Sequence, residues 1–111
     1  MTAKDIYLRA LISLGYADDQ VFKNKAVVII NQVYDELYNS LPHIEYLPIV
    51  SLNDEVNYPP RICMGAMVYG VAERLALGEG DGEKQQYFAV QFDRAKAKIV
   101  IIDSVQDSLP R

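Results

Sequence analysis

Three acidic residues alternate with three glycines in the stretch LGEGDGEK, which spans residues 77–84. The carboxylates of Glu79, Asp81 and Glu83 are ligands of the kind that calcium prefers, and closely spaced glycines allow the tight turns of ion-binding loops. An EF-hand loop that began at Glu79 would need glycine at its sixth position and glutamate at its twelfth. Lys84 and Val90 stand at these positions, so the calcium-loop pattern fails. The pattern of a phosphate-binding loop fails too, because Gly-Lys-Ser/Thr is absent from the stretch.

The same stretch has the features of a turn between two helices. Gly78 or Gly80 can adopt the left-handed conformation that ends a helix. Asp81 or Glu83 then falls at the N-terminus of the next helix, where the helix dipole favours negative charge. We therefore predict that the stretch is a hinge between helices and binds no calcium.

Sulfur and imidazole ligands are few in this chain. Cys63, Met64 and Met67 are close enough in sequence to suggest a soft-metal site, but no histidine or second cysteine joins them. Core packing is the better interpretation of these three residues. His43 is the single histidine, follows Pro42, and is predicted to be a loop residue. Since no constellation of reactive residues is formed, we predict no enzymatic activity, no bound metal and no cofactor.

Adjacent acidic residues occur at Asp18-Asp19, Asp35-Glu36 and Asp54-Glu55. Neighbouring positions of a helix point in different directions, so Asp35 and Glu36 are predicted to be solvated surface residues. A DNA-binding helix–turn–helix around Gly15 would begin its second helix directly after Asp18 and Asp19, whose negative charge disfavours contact with phosphates. The net charge is -4, and no basic face of the size needed for phosphate-driven DNA binding is visible.

Helical periodicity of the apolar residues predicts an all-α fold with four main helices. The 111 residues are 50% apolar and 23% charged, which is typical of one globular domain. The predicted helices span about 3–15, 20–40, 60–77 and 83–103, in a single domain of residues 1–103. Residues 104–111 are predicted to form a flexible C-terminal tail. Prolines in 42–60 forbid a continuous helix, so this segment is predicted to be a long irregular loop or a small β element.

The third helix, with the sequence RICMGAMVYGVAERLAL, is predicted to be the central one. No charge lies between Ile62 and Ala72, so this helix should be buried nearly all round. Its small residues should let another helix approach its backbone closely; they are Gly65, Ala66, Gly70, Ala72 and Ala76. The uncharged run is too short to span a bilayer, and no membrane association is predicted.

The run LNDEVNYPPRICMGAMVYGVAERLALGEGDGEKQQYFAVQFDRAKAKI resembles the small head–tail connector proteins of tailed bacteriophages, also called adaptors or head-completion proteins. The resemblance is carried by a loop that ends in proline, a small-residue helix of the type YGVAERLAL, a Gly-Asp break and an amphipathic helix with aromatic positions. The N-terminal IYLRALISLGY is also similar to the first helix of that family. The resemblance therefore covers most of the chain.

The resemblance implies a structural protein of the virion, located at the head–tail interface and made in the cytoplasm of the bacterial host. Such proteins form an oligomeric ring on the portal and dock the tail. The implied partners are the portal protein, neighbouring copies in the ring, and a tail or stopper protein. DNA passes through the ring without sequence-specific recognition. The alternative is a small regulatory or nucleic-acid-associated helical module.

A connector must present contacts to its partners from a small body, and two segments carry apolar residues for this purpose. The loop 42–60 has more apolar surface than a solvated loop requires, and the tail 104–111 could become ordered on binding. The predicted partner-contact residues are Tyr46, Leu47, Ile49, Tyr58, Val105 and Leu109.

Overall fold

A computed structural model describes residues 1–42 and 44–108 of the protein, with side chains described up to residue 99. Its four helices are α1 (Ala3–Leu14), α2 (Gln20–Tyr38), α3 (a composite helix within 60–78) and α4 (Gly82–Ser108). The predicted all-α fold is therefore confirmed. Within the described residues the only β pairing is an isolated antiparallel bridge, so the segment 42–60 is an irregular loop rather than a β element.

Local side-chain and backbone chemistry sets both ends of α1 and the start of α2. The Asp5 N–H donates to the Thr2 hydroxyl at 3.2 Å, which caps the start of α1. Gly15 ends α1 in the left-handed conformation with φ of 75°. The Phe22 N–H donates to the Asp19 carboxylate at 2.9 Å and caps the start of α2.

The composite helix α3 changes its winding along its length. It begins with a short α-helical segment, Pro60–Ile62, continues as a π-helix over Cys63–Met67 and returns to α-helix over Val68–Gly78. The proline in the first turn costs the helix no hydrogen bond, because the first N–H groups of a helix have no partner within it. The π segment was not predicted, since apolar periodicity does not distinguish it from an α-helix.

The helix α3 contacts α1, α2 and α4, but the prediction that it is the central buried helix is not confirmed. Two of its apolar side chains are largely exposed, Met64 at 47% and Leu77 at 61%, so it is not buried all round. The helices α1 and α2 also contribute an extensive set of buried residues to the same core. The core is thus shared among the helices.

At Gly70, α3 approaches both α2 and α4 closely. A Cβ atom added at Gly70 would lie 2.7 Å from Val33 Cγ1 of α2 and 3.0 Å from the Phe92 ring of α4. A Cβ added at Gly65 would meet nothing within 4 Å. The predicted close approach is therefore found at Gly70 and is absent at Gly65.

This contrast predicts opposite effects of two identical substitutions. Gly70→Ala is expected to lower the free energy of unfolding by about 1–2 kcal/mol, because overpacking outweighs the gain of about 1 kcal/mol in helix propensity. Gly65→Ala has room for its methyl group and is expected to raise stability by about 0.5–1 kcal/mol. Urea unfolding of both variants measures the difference. Stabilisation by Gly70→Ala would mean that Val33 and Phe92 move aside at little cost.

Backbone hydrogen bonds hold the loop 42–60 against the start of α1. The N–H groups of Ala3 and Lys4 donate to the carbonyl oxygens of Asp54 and Leu52, each at 2.8 Å. These donors belong to the first turn of α1, where no partner exists within the helix. The loop therefore supplies acceptors that the helix needs, which explains why so long a connection is ordered here.

The helix α4 extends to Ser108, five residues beyond its predicted end at residue 103. Phe88, Phe92 and Ile99, which recur at helical spacing, are buried. The helix includes 104–108, which were predicted to belong to the flexible tail, and residues 109–111 lie outside the described part of the chain. The flexibility of this terminus stays a prediction. No helix of the described residues has the length and apolarity to cross a membrane.

Candidate partner-contact surfaces

The glycine–acid stretch forms the turn between α3 and α4 and ties it to the end of α1. Gly80 takes the left-handed conformation with φ of 71°, and the Asp81 carboxylate accepts the Lys84 N–H at 3.3 Å at the start of α4. The Tyr16 hydroxyl donates to the other Asp81 oxygen at 3.1 Å, and the Lys84 ammonium donates to the Leu14 carbonyl at 2.7 Å. Burial and the hydrogen bond to Asp81 raise the pKa of Tyr16. The predicted turn and cap are therefore present.

We expect titration calorimetry with millimolar calcium to show no saturable heat for this protein. The Asp81 carboxylate already accepts hydrogen bonds from a backbone amide and a tyrosine, and calcium requires six to eight oxygen ligands. No group of three potential metal-ligating side chains is found among the residues that the structure describes. A saturable site of micromolar affinity would contradict the assignment of the stretch as a turn.

The sulfur-containing residues of α3 lie in different environments. Cys63 and Met67 are fully buried, and the Cys63 thiol donates to the Tyr58 carbonyl at 3.5 Å. Burial raises the pKa of the Cys63 thiol, so the reactive thiolate is disfavoured. Met64 is 47% exposed. Packing thus accounts for Cys63 and Met67, whereas the interpretation of His43 as a loop residue falls outside the described part of the chain.

The acidic pairs have structural partners, and one prediction about them was wrong. Asp35 is exposed as expected, but Glu36 is only partly exposed and accepts hydrogen bonds from Arg74 and, at 3.0 Å, from Lys96. Burial alone would raise the pKa of Glu36, but these two cations lower it below its usual value. Both cations come from distant parts of the sequence, so the position of Glu36 beside Asp35 does not reveal this pairing.

Tyr34 organises the interior side of the loop 42–60. Its fully buried hydroxyl accepts the N–H groups of Asn57 at 2.9 Å and Leu47 at 3.4 Å. Its ring packs edge-on against the rings of Tyr46 and Tyr58 at centroid distances of 4.9 and 4.8 Å. The apolar residues of the loop are therefore shared between the protein core and the surface.

The structure separates the predicted partner-contact residues into buried and exposed ones. Ile49 and Tyr58 are core residues, 3% and 5% exposed, so a contact with a partner would require the loop to open. Tyr46 is half-buried against Tyr34, and Leu47 is 47% exposed. The side chains of Val105 and Leu109 lie outside the description. A contact role for these residues stays a prediction.

Val50 was not among the predicted contact residues, yet it is the most exposed large apolar residue described, at 86%. The backbone on both sides of it is fixed. Asn31 of α2 accepts the Ile49 N–H at 2.9 Å and donates to the Ile49 carbonyl at 2.8 Å, while Asp54 accepts the Val50 N–H at 2.8 Å. The sequence signal available for Val50 was its position directly after Ile49. In a strand-like segment, the side chains of two adjacent residues point to opposite sides. Leu47 and Val50 are both exposed apolar residues of this loop, and we call them the loop pair.

A groove of about 390 Å³ lies between the first half of α3 and the middle of α4. Three exposed cationic side chains line it, Arg61 from α3 and Arg94 and Lys98 from α4. The remaining lining residues include apolar side chains and a glycine with open space above it; they are Ile62, Gly65, Ala66, Tyr69, Gln91, Ala95 and Ile99. None of the described lining residues is acidic. We call this site the basic groove.

The basic groove is unusual in a chain that carries a net charge of -4. On another side of the α3–α4 pair, Arg74 is paired with Glu36, and Lys96 with both Glu36 and Asp93, so the charges of these two cations are compensated there. The groove was missed in the sequence because Arg61 is distant from Arg94 and Lys98 along the chain. Cations beside an apolar floor are suited to bind an anionic, partly apolar ligand.

A comparison of the chain with protein-family models, with curated proteins and with solved structures finds no match in any of the three.

Proposed function

We propose that this protein is a virion structural protein, a head–tail connector that forms a ring on the portal and docks the tail. Its partners in this proposal are the portal protein, neighbouring copies and a tail or stopper protein, and DNA passes through the ring without being read. The resemblance of the run from Leu52 to Ile99 motivates the proposal. This run contains the proline-ended loop, α3, the Gly-Asp turn and most of α4.

The observation that carries the proposal is the rigid presentation of the loop pair. Leu47 and Val50 are 47% and 86% exposed, although the surrounding backbone is held by hydrogen bonds to Asn31, Tyr34 and Asp54. A solvated loop gains nothing from holding apolar side chains in water. A fixed apolar projection loses little conformational entropy when a partner covers it, which favours binding.

Substitution of the loop pair tests this function. Leu47→Ser with Val50→Ser should leave helical circular dichroism and a cooperative melt intact, because both side chains are exposed. The variant should fail to decorate portal-bearing, DNA-filled heads, and the heads should leak DNA or stay tailless. Val28→Ser, which changes a residue 58% exposed on α2, is the matched control and should decorate heads normally.

A second variant, which lacks residues 104–111, tests the predicted contact role of the C-terminal tail that includes Val105 and Leu109. It should fold and also fail to complete heads. Infectious particles at normal titre from both variants would show that the contact surfaces are wrong. If the intact protein never associates with heads, the connector function itself is wrong.

The alternative, a small regulatory or nucleic-acid-associated helical module, is favoured by one observation, the basic groove. If its three cations neutralised three DNA phosphates, the logarithm of the binding constant would fall with the logarithm of the salt concentration with a slope of about -2.7 at most. Fluorescence anisotropy with a labelled DNA duplex measures this slope. Tight, salt-dependent DNA binding that is lost on Arg61→Ala and Arg94→Ala would favour the alternative over the connector.

A further inference from the structure

The basic groove combines two kinds of recognition in one site. Arg61, Arg94 and Lys98 stand at its edges, while buried Ile62 and Ile99 contribute to an apolar floor. A phosphate backbone would use the cations but leave the apolar floor uncovered. A peptide segment with both carboxylates and aliphatic side chains would use both features.

The chain itself contains a segment of this chemistry at its C-terminus. Residues 100–111, VIIDSVQDSLPR, carry the acids Asp103 and Asp107 four positions apart, and their one cation is the terminal Arg111. The aliphatic residues of the segment are Val100, Ile101, Ile102, Val105 and Leu109. Charge and apolar character are therefore complementary to the groove.

The helix α4 carries residues 100–108 of the same chain away from its own groove. Ile99 is the last described groove residue, and α4 continues as a helix to Ser108. With a rise of about 1.5 Å per residue, the helix ends about 13 Å beyond Ile99 along its axis. A second copy of the chain can supply the same segment without this restriction.

We propose that the basic groove receives the C-terminal residues 100–111 of a second copy of this chain. Asp103 and Asp107 face the groove cations, and aliphatic residues of the segment cover the apolar floor. The contact joins two different surfaces of the same molecule, so it is heterologous. Repetition of a heterologous contact gives a closed ring when the rotation closes. The inference rests on the proposed ring-forming function and names the surfaces that join its neighbouring copies.

Cross-linking between two variants that each carry one added cysteine tests the contact directly. Gly65→Cys places a thiol on the groove at a position with open space, and Val105→Cys places one in the C-terminal segment. The native Cys63 is fully buried and does not compete. A mixture of the two full-length variants should form mixed disulfide dimers under mild oxidation. These should exceed both homodimers, and each variant alone should stay largely uncross-linked.

Charge reversal provides the second measurement. Arg94→Glu with Lys98→Glu should lower the yield of mixed dimers roughly tenfold at low salt, and Asp103→Lys with Asp107→Lys should do the same. Combining the two reversals, one on each cysteine partner, should restore the yield. Lys25→Glu with Lys23→Glu, on exposed positions of α2, is the control and should leave the yield unchanged.

Each other outcome overturns the inference. Equal yields of mixed dimers and homodimers, or charge reversals without effect or rescue, would show that the segment does not occupy the groove. Groove variants that lose binding to a labelled DNA duplex while mixed cross-links are absent would assign the groove to nucleic acid.

Head decoration separates this inference from the proposed function. If the charge-reversed groove variant still forms rings on portal-bearing heads, the connector function stands and the groove contact is wrong. If wild-type protein gives mixed cross-links and charge rescue but never associates with heads, the contact stands as self-association and the connector function is wrong.

Discussion

Replacing Leu75 with alanine is expected to lower the free energy of unfolding by about 2–5 kcal/mol. Leu75 lies on α3, is 2% exposed, and belongs to the buried cluster formed by all four helices. Its truncation removes buried methyl groups and leaves a cavity that the surrounding helices can fill only in part. Urea or guanidinium unfolding, followed by circular dichroism, measures the loss.

Leu77→Ala is the matched control for this prediction. Leu77 lies two residues further along α3 and is 61% exposed, so its truncation should change stability by no more than about 0.5 kcal/mol. The comparison keeps residue type and helix constant and varies only burial. A loss below about 1 kcal/mol for Leu75→Ala would contradict its placement in the core.

Removing the hydroxyl of Tyr34 is expected to loosen the loop 42–60 as well as to destabilise the fold. Tyr34→Phe keeps the ring that packs against Tyr46 and Tyr58 but removes the acceptor of the Asn57 and Leu47 N–H groups. Donors left without an acceptor cost about 1–3 kcal/mol. Amide hydrogen exchange at Asn57 should become faster than in the wild-type protein, relative to exchange at core amides of α2.

Tyr87→Phe supplies the control, because Tyr87 is 58% exposed on α4 and its hydroxyl can be replaced by water. It should change neither stability nor the exchange rate of the loop amides. Should Tyr34→Phe unfold at the wild-type denaturant concentration with unchanged exchange at Asn57, the loop must be held by its other contacts alone. Those contacts include the hydrogen bonds to Asn31 and to the first turn of α1, and the bond that the Tyr58 hydroxyl donates to the Tyr34 carbonyl.

The same hydrogen bonds bear on the partner-contact proposal. If Tyr34 holds the loop pair in place, Tyr34→Phe should weaken head decoration without changing Leu47 or Val50. A loop with freedom to move must lose that freedom on binding, which lowers affinity. The loop is thus both a cap for α1 and the support of the proposed contact.

The elements whose causes are local follow from the amino-acid sequence alone. Thr2 and Asp19 cap helices through hydrogen bonds to amides three residues away, and Gly15 ends α1 by its own backbone conformation. The turn at Gly80 and Asp81 is equally local. Prolines exclude helix from most of 42–60 for the same reason, since their effect acts on the neighbouring backbone.

Residues of the same type in similar sequence environments are placed differently by the long-range packing of the helices. Gly65 and Gly70 lie in one helix, yet Gly70 alone meets two other helices, because the paths of α2 and α4 determine the contact. Ile49 is buried and Val50 exposed for a similar reason, since Asn31 of α2 fixes the backbone between them.

The candidate sites depend on the tertiary structure for the same physical reason. The pairing of Glu36 with Lys96 and the convergence of Arg61 with Arg94 join residues that are distant along the chain. Apolar periodicity predicts which face of a helix is buried but not which distant face it meets. The charges of the basic groove could therefore be counted in the sequence, whereas their position on one surface follows only from the packing of α3 against α4.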